Sequence, residues 1–261
     1  MASPATTRKS EQARDATVIV TGGSRGIGAA AALQSARHGW AVAVNYTRDQ
    51  RAADAVVAAI RQAGGRALAV QADVAEPDQV VALFERIDRE LPPLWGLVNN
   101  AGVVDQAARV DQMDAVRLQR MFAVNVYGSF HCAREAVRRL STRYGGRGGA
   151  IVNLTSAAAR LGAPGQYVDY AAAKGAIDTF TVGLAKEVAA EGIRVNAVRP
   201  GIIETDIHAS GGVPDRAKQM APLVPMQRSG SADEVARAIV WLLSEESSYT
   251  TGSVVDVTGG R

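Results

Sequence analysis

A chain of 261 residues with 47% hydrophobic residues is long enough to close one large core, and α/β folds of this length are often single domains. Lys and Arg exceed Asp and Glu by only three, scattered through amphipathic stretches, which argues against a nucleic-acid stripe or a membrane-binding face despite a pI near 9.2. Cys132 is the only cysteine, which excludes an intrachain disulfide and fits a reducing, cytoplasmic setting.

Residues 1–15 are polar and rich in Ala, Ser, Thr and Arg, without the apolar run of a secretory signal or anchor, and read as a flexible N-terminal extension. One folded domain is expected over 16–261. Strand candidates are Thr17 to Val20, Ala41 to Asn45, Ala67 to Gln71, Gly96 to Val98, Ala150 to Leu154, Arg194 to Val198 and Val254 to Val257. Between them lie segments with apolar residues at three- and four-residue spacing, such as Val80, Leu83, Phe84 and Ile87. That alternation calls for a doubly wound parallel sheet with helices on both faces, because parallel strands need right-handed crossovers.

Directly after the first strand comes Thr21-Gly22-Gly23-Ser24-Arg25-Gly26-Ile27-Gly28, with a helix expected from about Gly26 to His38. Glycines let the backbone approach a pyrophosphate, and the N–H groups of a helix start attract its charge. Strand, glycines and helix in that order mark a dinucleotide site, whereas a glycine turn alone also serves packing. Asp73, followed by Val74, ends the third strand and is placed either to bind an adenine amino group or to cap the next helix.

Tyr170-Ala171-Ala172-Ala173-Lys174 puts a phenol and an ammonium four residues apart on one helix face. Bringing a phenol from a pKa of about 10 to about 7 or 8 needs roughly 3 to 4 kcal/mol of phenolate stabilisation. A nearby ammonium in a desolvated cleft, joined by an oxidised nicotinamide, would supply it. Tyr170 would then exchange a proton with a carbonyl or alcohol oxygen. Such pairs also occur on solvated helices, so the neighbours decide. The strand Ile151-Val152-Asn153-Leu154 runs into Thr155-Ser156, bringing a hydroxyl to the strand end where doubly wound sheets bind ligands.

Together with Asn99-Asn100-Ala101-Gly102, Asn125 and Pro200-Gly201, these motifs resemble the short-chain dehydrogenase/reductase family from about Thr17 to Gly260. The resemblance implies a Rossmann fold with seven parallel strands, a nicotinamide dinucleotide, and catalytic roles for Asn125, Ser156, Tyr170 and Lys174. Ser156 would hold the substrate oxygen and Tyr170 would protonate it. Lys174 would act on the phenol and bind the nicotinamide ribose, so both it and Tyr170 border the cofactor. Asn125, inside the helical pattern Met121 to Val137, would hold a water that relays protons; its local alternative is a kink or a satisfied polar residue. Asn100, Ala101 and Gly102 would border the ribose and nicotinamide, with Asn99 holding neighbouring strands. Pro200, Gly201, Ile203 and Thr205 match the segment that closes over the carboxamide. Ser156 and Tyr170 are one residue farther apart than in many family members, which is expected to reshape the substrate wall.

NAD-preferring relatives carry a carboxylate at the end of the second strand; here Asn45-Tyr46-Thr47-Arg48 follows, with none until Asp49. Arg25 and Arg48 are positioned to grip a 2′-phosphate, and Asn45 and Thr47 to add neutral hydrogen bonds, so NADP(H) is expected over NAD(H), with use of both as the alternative. Between Ile203 and Ser229, Gly211-Gly212 and Pro214, Pro222 and Pro225 suit a substrate lid over about 203–229, or an ordinary surface loop. The dispersed His38, His131 and His208 do not suggest a metal, and His208 is either a substrate contact or a solvated lid residue. Cys132, Trp40, Trp95 and Trp241 read as packing. The alanine-rich helix after Tyr170 and the region from Trp241 to Val257 suit a homotetramer, with a dimer as second choice. The expected activity is carbonyl reduction or alcohol oxidation on a 3-oxoacyl thioester, a sugar or polyol, or another ketone. A non-catalytic dinucleotide-binding regulatory or structural protein is the competing reading.

Overall fold

The computed structural model describes residues 15–206 and 211–261, so the N-terminal extension up to Arg14 and His208 lie outside the described residues. Seven strands occur in chain order: β1 Thr17–Val20, β2 Ala41–Tyr46, β3 Ala67–Gln71, β4 Leu94–Asn99, β5 Gly149–Leu154, β6 Ile193–Pro200 and β7 Val254–Val257. They form one parallel sheet in the order β3-β2-β1-β4-β5-β6-β7, the doubly wound arrangement read from the sequence. The order reverses between β1 and β4, which opens a crevice at the carboxyl ends of those strands.

The strands are hydrophobic on both faces because helices cover both. Helix α1 (Gly26–His38), α2 (Gln50–Gln62) and α9 (Ala232–Leu243) pack against Val18, Val20, Val42, Val44 and Val152. On the opposite face α3 (Pro77–Glu90), α5 (Gly128–Leu140) and the end of α7 (Val168–Val188) pack against Ile19, Ala43, Leu97, Ile151 and Val195. Period-two alternation of the strand side chains thus feeds two cores.

Elsewhere, a half-buried arginine secures the frame. Arg194 on β6 donates to the carbonyls of Leu242, Leu243 and Ser244 at 2.8, 3.3 and 2.9 Å, satisfying acceptors that the end of α9 leaves without helical partners. The helix expected from Met121 to Val137 is divided. Helix α4 (Ala115–Phe122) passes into a wide π turn, Ala123–Tyr127, before α5 begins. Two short helices, α6 (Ala158–Leu161) and α8 (Arg216–Met220), stand over the carboxyl edge of the sheet.

Candidate active site

The glycine turn is held from two sides. The Asn45 Oδ1 accepts from the Gly22 N–H at 3.3 Å and its amide donates to the Ala72 carbonyl at 2.9 Å. Asn100 Nδ2 donates to the carbonyls of Thr21 at 2.8 Å and Gly22 at 3.1 Å, while the Thr21 hydroxyl accepts from the N–H groups of Asn100 and Ala101. Gly22 has φ +59°, a conformation costly for a side chain, and a Cβ on Gly28 would collide with the Gly22 carbonyl and Asn100. Helix α1 starts at Gly26 with no side-chain cap and no acidic residue in its first turn. Free N–H groups, a helix dipole and close backbone approach fit a dinucleotide pyrophosphate.

Around this turn, Ser24 and Ile27 are half-buried, and Arg25, Thr47 and Arg48 are exposed beside it. Asn45 and Tyr46 differ from the expected pocket. Both are buried, and the Asn45 amide is committed to the backbone of Val70 and Ala72, so it braces the turn and is not available to a phosphate. Asp73 does not cap α3, whose N-cap is Glu76; its carboxylate accepts from the Ala75 N–H at 3.0 Å, and Val74 beside it is buried. Asn99 bridges strands as expected, donating to Asn153 Oδ1 at 2.9 Å.

The second cluster lies where β5 ends. Ser156 Oγ accepts from the Ala158 N–H at 3.1 Å and hydrogen-bonds the Tyr170 phenol. Lys174 is buried below them and donates from Nζ to the Leu154 carbonyl at 2.7 Å, while the Thr155 hydroxyl donates to the Lys174 carbonyl. The π turn presents Asn125, whose amide donates to the carbonyls of Met121 and Val103 and whose Oδ1 accepts from the Val103 N–H at 3.2 Å. Asn125 is therefore both the kink and the satisfied polar residue. A Cβ on Gly102 would stand 2.8 Å from Asn125 Oδ1 and 3.5 Å from Lys174 Nζ, so the three residues converge.

Burial governs the electrostatics. It pushes the Tyr170 phenol up to about 12, against the opposing hydrogen bond from Ser156. The expectation that Lys174 depresses this phenol is not met in the protein alone. Lys174 Nζ lies 5.7 Å from the centre of the Tyr170 ring, tied to the Leu154 carbonyl. Burial also pulls Lys174 down to about 8, with Asp178 acting in the opposite direction. Asp178, one helical turn after Lys174, pairs with Arg199 at 2.8 Å, and Arg199 pairs with Asp256 at 2.8 Å. The sequence carries a signal for this partner in the four-residue spacing of Lys174 and Asp178.

Sequence reasoning also missed Asp169. Its fully buried carboxylate receives Arg117 of α4 at 2.8 and 3.2 Å and pins the first turn of α7, next to Tyr170. Tyr167 is buried, donating to the Gly211 carbonyl at 3.4 Å. Pro200, Gly201, Ile203 and Thr205 line a cavity of about 500 Å³ together with Ser156, Tyr170, Lys174, Asn100 and Gly102. Ala101 packs against the core cluster that contains Ile19 and Leu97. Cys132 is buried, and burial raises its thiol to about 12, as suits packing. Among the described residues no helix is long and apolar enough to cross a membrane.

The family model described as enoyl-(acyl carrier protein) reductase matches residues 22–261. The uncharacterized oxidoreductase YgfF of Escherichia coli is 56% identical over 246 residues, 94% of this chain and 100% of its own length. The 3-oxoacyl-[acyl-carrier-protein] reductase FabG of Staphylococcus aureus is 36% identical, covering 94% of this chain and 97% of its own. A short-chain dehydrogenase of Burkholderia cenocepacia, solved in complex with NADP, superposes with a TM-score of 0.86 at 34% identity, covering 95% of this chain and 98% of its own. With the crevice, the glycine turn and the Ser156, Tyr170 and Lys174 cluster on one sheet edge, the chain belongs to the short-chain dehydrogenase/reductase family of oxidoreductases.

Proposed function

We propose that this chain is an NADP(H)-dependent enzyme that interconverts a carbonyl and an alcohol, with Tyr170 as the general acid and base. The observation that carries the reading is the hydrogen-bonded Ser156 and Tyr170 above buried Lys174, in one cavity with the glycine turn side. A nicotinamide, when bound, would supply or accept the hydride. Ser156 Oγ orients the carbonyl oxygen beside the phenol. Because burial keeps Tyr170 protonated, its hydroxyl is poised to donate when negative charge develops on that oxygen. Lys174 Nζ, held against the Leu154 carbonyl, returns a proton toward the phenolate, and Asn125 Oδ1 keeps a lone pair for a relay beside it.

Exposed Arg25 and Arg48, with no carboxylate before Asp49, support NADP(H) over NAD(H), as does the NADP complex of the Burkholderia relative. Gly22, Ser24, Gly26, Ile27 and Gly28 would hold the pyrophosphate, and Asp73 with Val74 the adenine. Ile203 and Thr205 would close on the carboxamide, under a lid over about 203–229. A cytoplasmic homotetramer is the expected assembly; the outer face of α7, where a Cβ on Gly175 or Gly183 would meet nothing within 4 Å, suits a subunit contact. The test is to mix purified protein with NADPH or NADH and a panel of 3-oxoacyl thioesters, sugars and simple ketones. Oxidation of NADPH by at least one carbonyl is expected; no consumption with any would overturn the reading.

A further inference from the structure

The substrate half of the cavity contains a charge that the proton chemistry above does not use. Arg216, on α8, lines the cavity with Ser156 and Tyr170. Its guanidinium lies 5.4 Å from the centre of the Tyr167 ring and donates to Gln166 Oε1 at 2.7 Å. Both partners are neutral. Several other half-buried arginines are satisfied differently: Arg117, Arg139 and Arg199 meet carboxylates and Arg194 meets backbone carbonyls, while the half-buried Arg261 lines the same cavity as Arg216. Among the described residues Arg216 pairs with no carboxylate, and no Asp or Glu side chain lines the cavity.

A guanidinium has five N–H donors in a planar fork. The Tyr167 face fixes its plane, and Gln166 fixes one edge, leaving the rest of the fork for an acceptor inside a largely apolar wall. We infer that Arg216 selects carbonyl substrates bearing an anionic group, a carboxylate or a phosphate, held by the guanidinium while the carbonyl meets Ser156 and Tyr170. The inference rests on the carbonyl reductase reading for its kinetics, and on binding alone for its second arm. Gln166 and Tyr167 are positioning residues that aim Arg216. They occupy the segment between Ser156 and Tyr170 that is longer than in many family members, and Ala163 there adopts φ +46°.

The test compares matched pairs with NADPH: acetoacetate against its methyl ester, and dihydroxyacetone phosphate against dihydroxyacetone. Wild-type protein is expected to favour the charged member of at least one pair in kcat/KM, and the favoured pair identifies carboxylate or phosphate. Arg216→Ala should lower that charged-to-neutral ratio about tenfold or more, with Arg216→Lys falling between. Titration calorimetry with the same charged compound should show binding to wild-type protein that Arg216→Ala loses. A wild-type ratio at or below one for both pairs, or a ratio unchanged in Arg216→Ala, would overturn the inference. Failure to reduce any of the four carbonyls, with calorimetric binding intact and dependent on Arg216, would leave the anion site standing, and the reductase reading would then fall only if the wider carbonyl panel also gave no NADPH consumption.

Discussion

The two halves of the cavity are built by different means. The glycine-turn side, from Thr21 to Gly28 and from Asn99 to Gly102, proposed to hold the cofactor, is made of backbone, glycines and side chains whose polar groups are already tied to the frame: Asn45, Asn100 and Thr21 all hold the turn. The opposite side, over residues 157–167, 203–206 and 211–220, consists of short helices and loops, and its polar contacts are carried by individual side chains such as Tyr167 and Arg216. A backbone cradle tolerates little change in shape and therefore serves one ligand. A side-chain wall on loops is altered by single substitutions without disturbing the sheet, which is how one fold accepts many carbonyl compounds.

This contrast can be broken most severely at the junction of the halves. Tyr170→Phe should lower turnover by about three orders of magnitude, or about 4 kcal/mol in the barrier, while NADPH affinity from fluorescence titration stays within a few-fold. Lys174→Ala should impair both. Equal losses in the two variants' cofactor affinity would erase the distinction between halves.

Asp169 tests whether the substrate wall is anchored as firmly as the cradle. Asp169→Ala leaves the Arg117 guanidinium, only 12% exposed, without its carboxylate. Denaturant unfolding should show a loss of about 3 kcal/mol, whereas a loss below about 1 kcal/mol would show that the first turn of α7 is held by packing alone.

On the cofactor side a smaller change is expected. Arg25→Ala should lower the NADPH-to-NADH ratio of kcat/KM about tenfold, near 1.4 kcal/mol. Wild-type preference for NADH, or an unchanged ratio in both Arg25→Ala and Arg48→Ala, would remove the phosphate grip.

The mildest probe is pH. Burial lowers Lys174 to about 8, so its ammonium is present below that pH and lost as pH rises through it. Carbonyl reduction should be flat at lower pH and decline across that point, although Tyr170, pushed up to about 12, still carries its proton. A decline that persists unchanged in Lys174→Ala would assign it to another group.

The strands were legible because each is a short apolar run between helical patterns; β1, β3 and β7 have the boundaries the residues suggest. Gly96 is read as a strand start, but β4 begins at Leu94, since a register shift beside Thr17 accommodates Trp95. The cluster of Ser156, Tyr170 and Lys174 at the end of β5 was legible from ordered motifs. Asn45 was not, because an amide facing solvent and one facing the glycine turn have the same local sequence. Arg216 and Asp169 were hidden for a related reason: their partners Tyr167 and Arg117 lie 49 and 52 positions away, and only the fold brings them together.

In the proposed reaction this chain moves a hydride to a carbonyl carbon while Tyr170 protonates the oxygen. The most direct measurement uses NADPH carrying deuterium at the transferable C4 position, with a carbonyl compound identified by the panel, and reads the alcohol by mass spectrometry. Wild-type protein should place one deuterium on the carbinol carbon, and Tyr170→Phe at matched time should yield about a thousandth as much. Alcohol formed by wild-type protein without deuterium, or formed at comparable rate by Tyr170→Phe, would contradict the account.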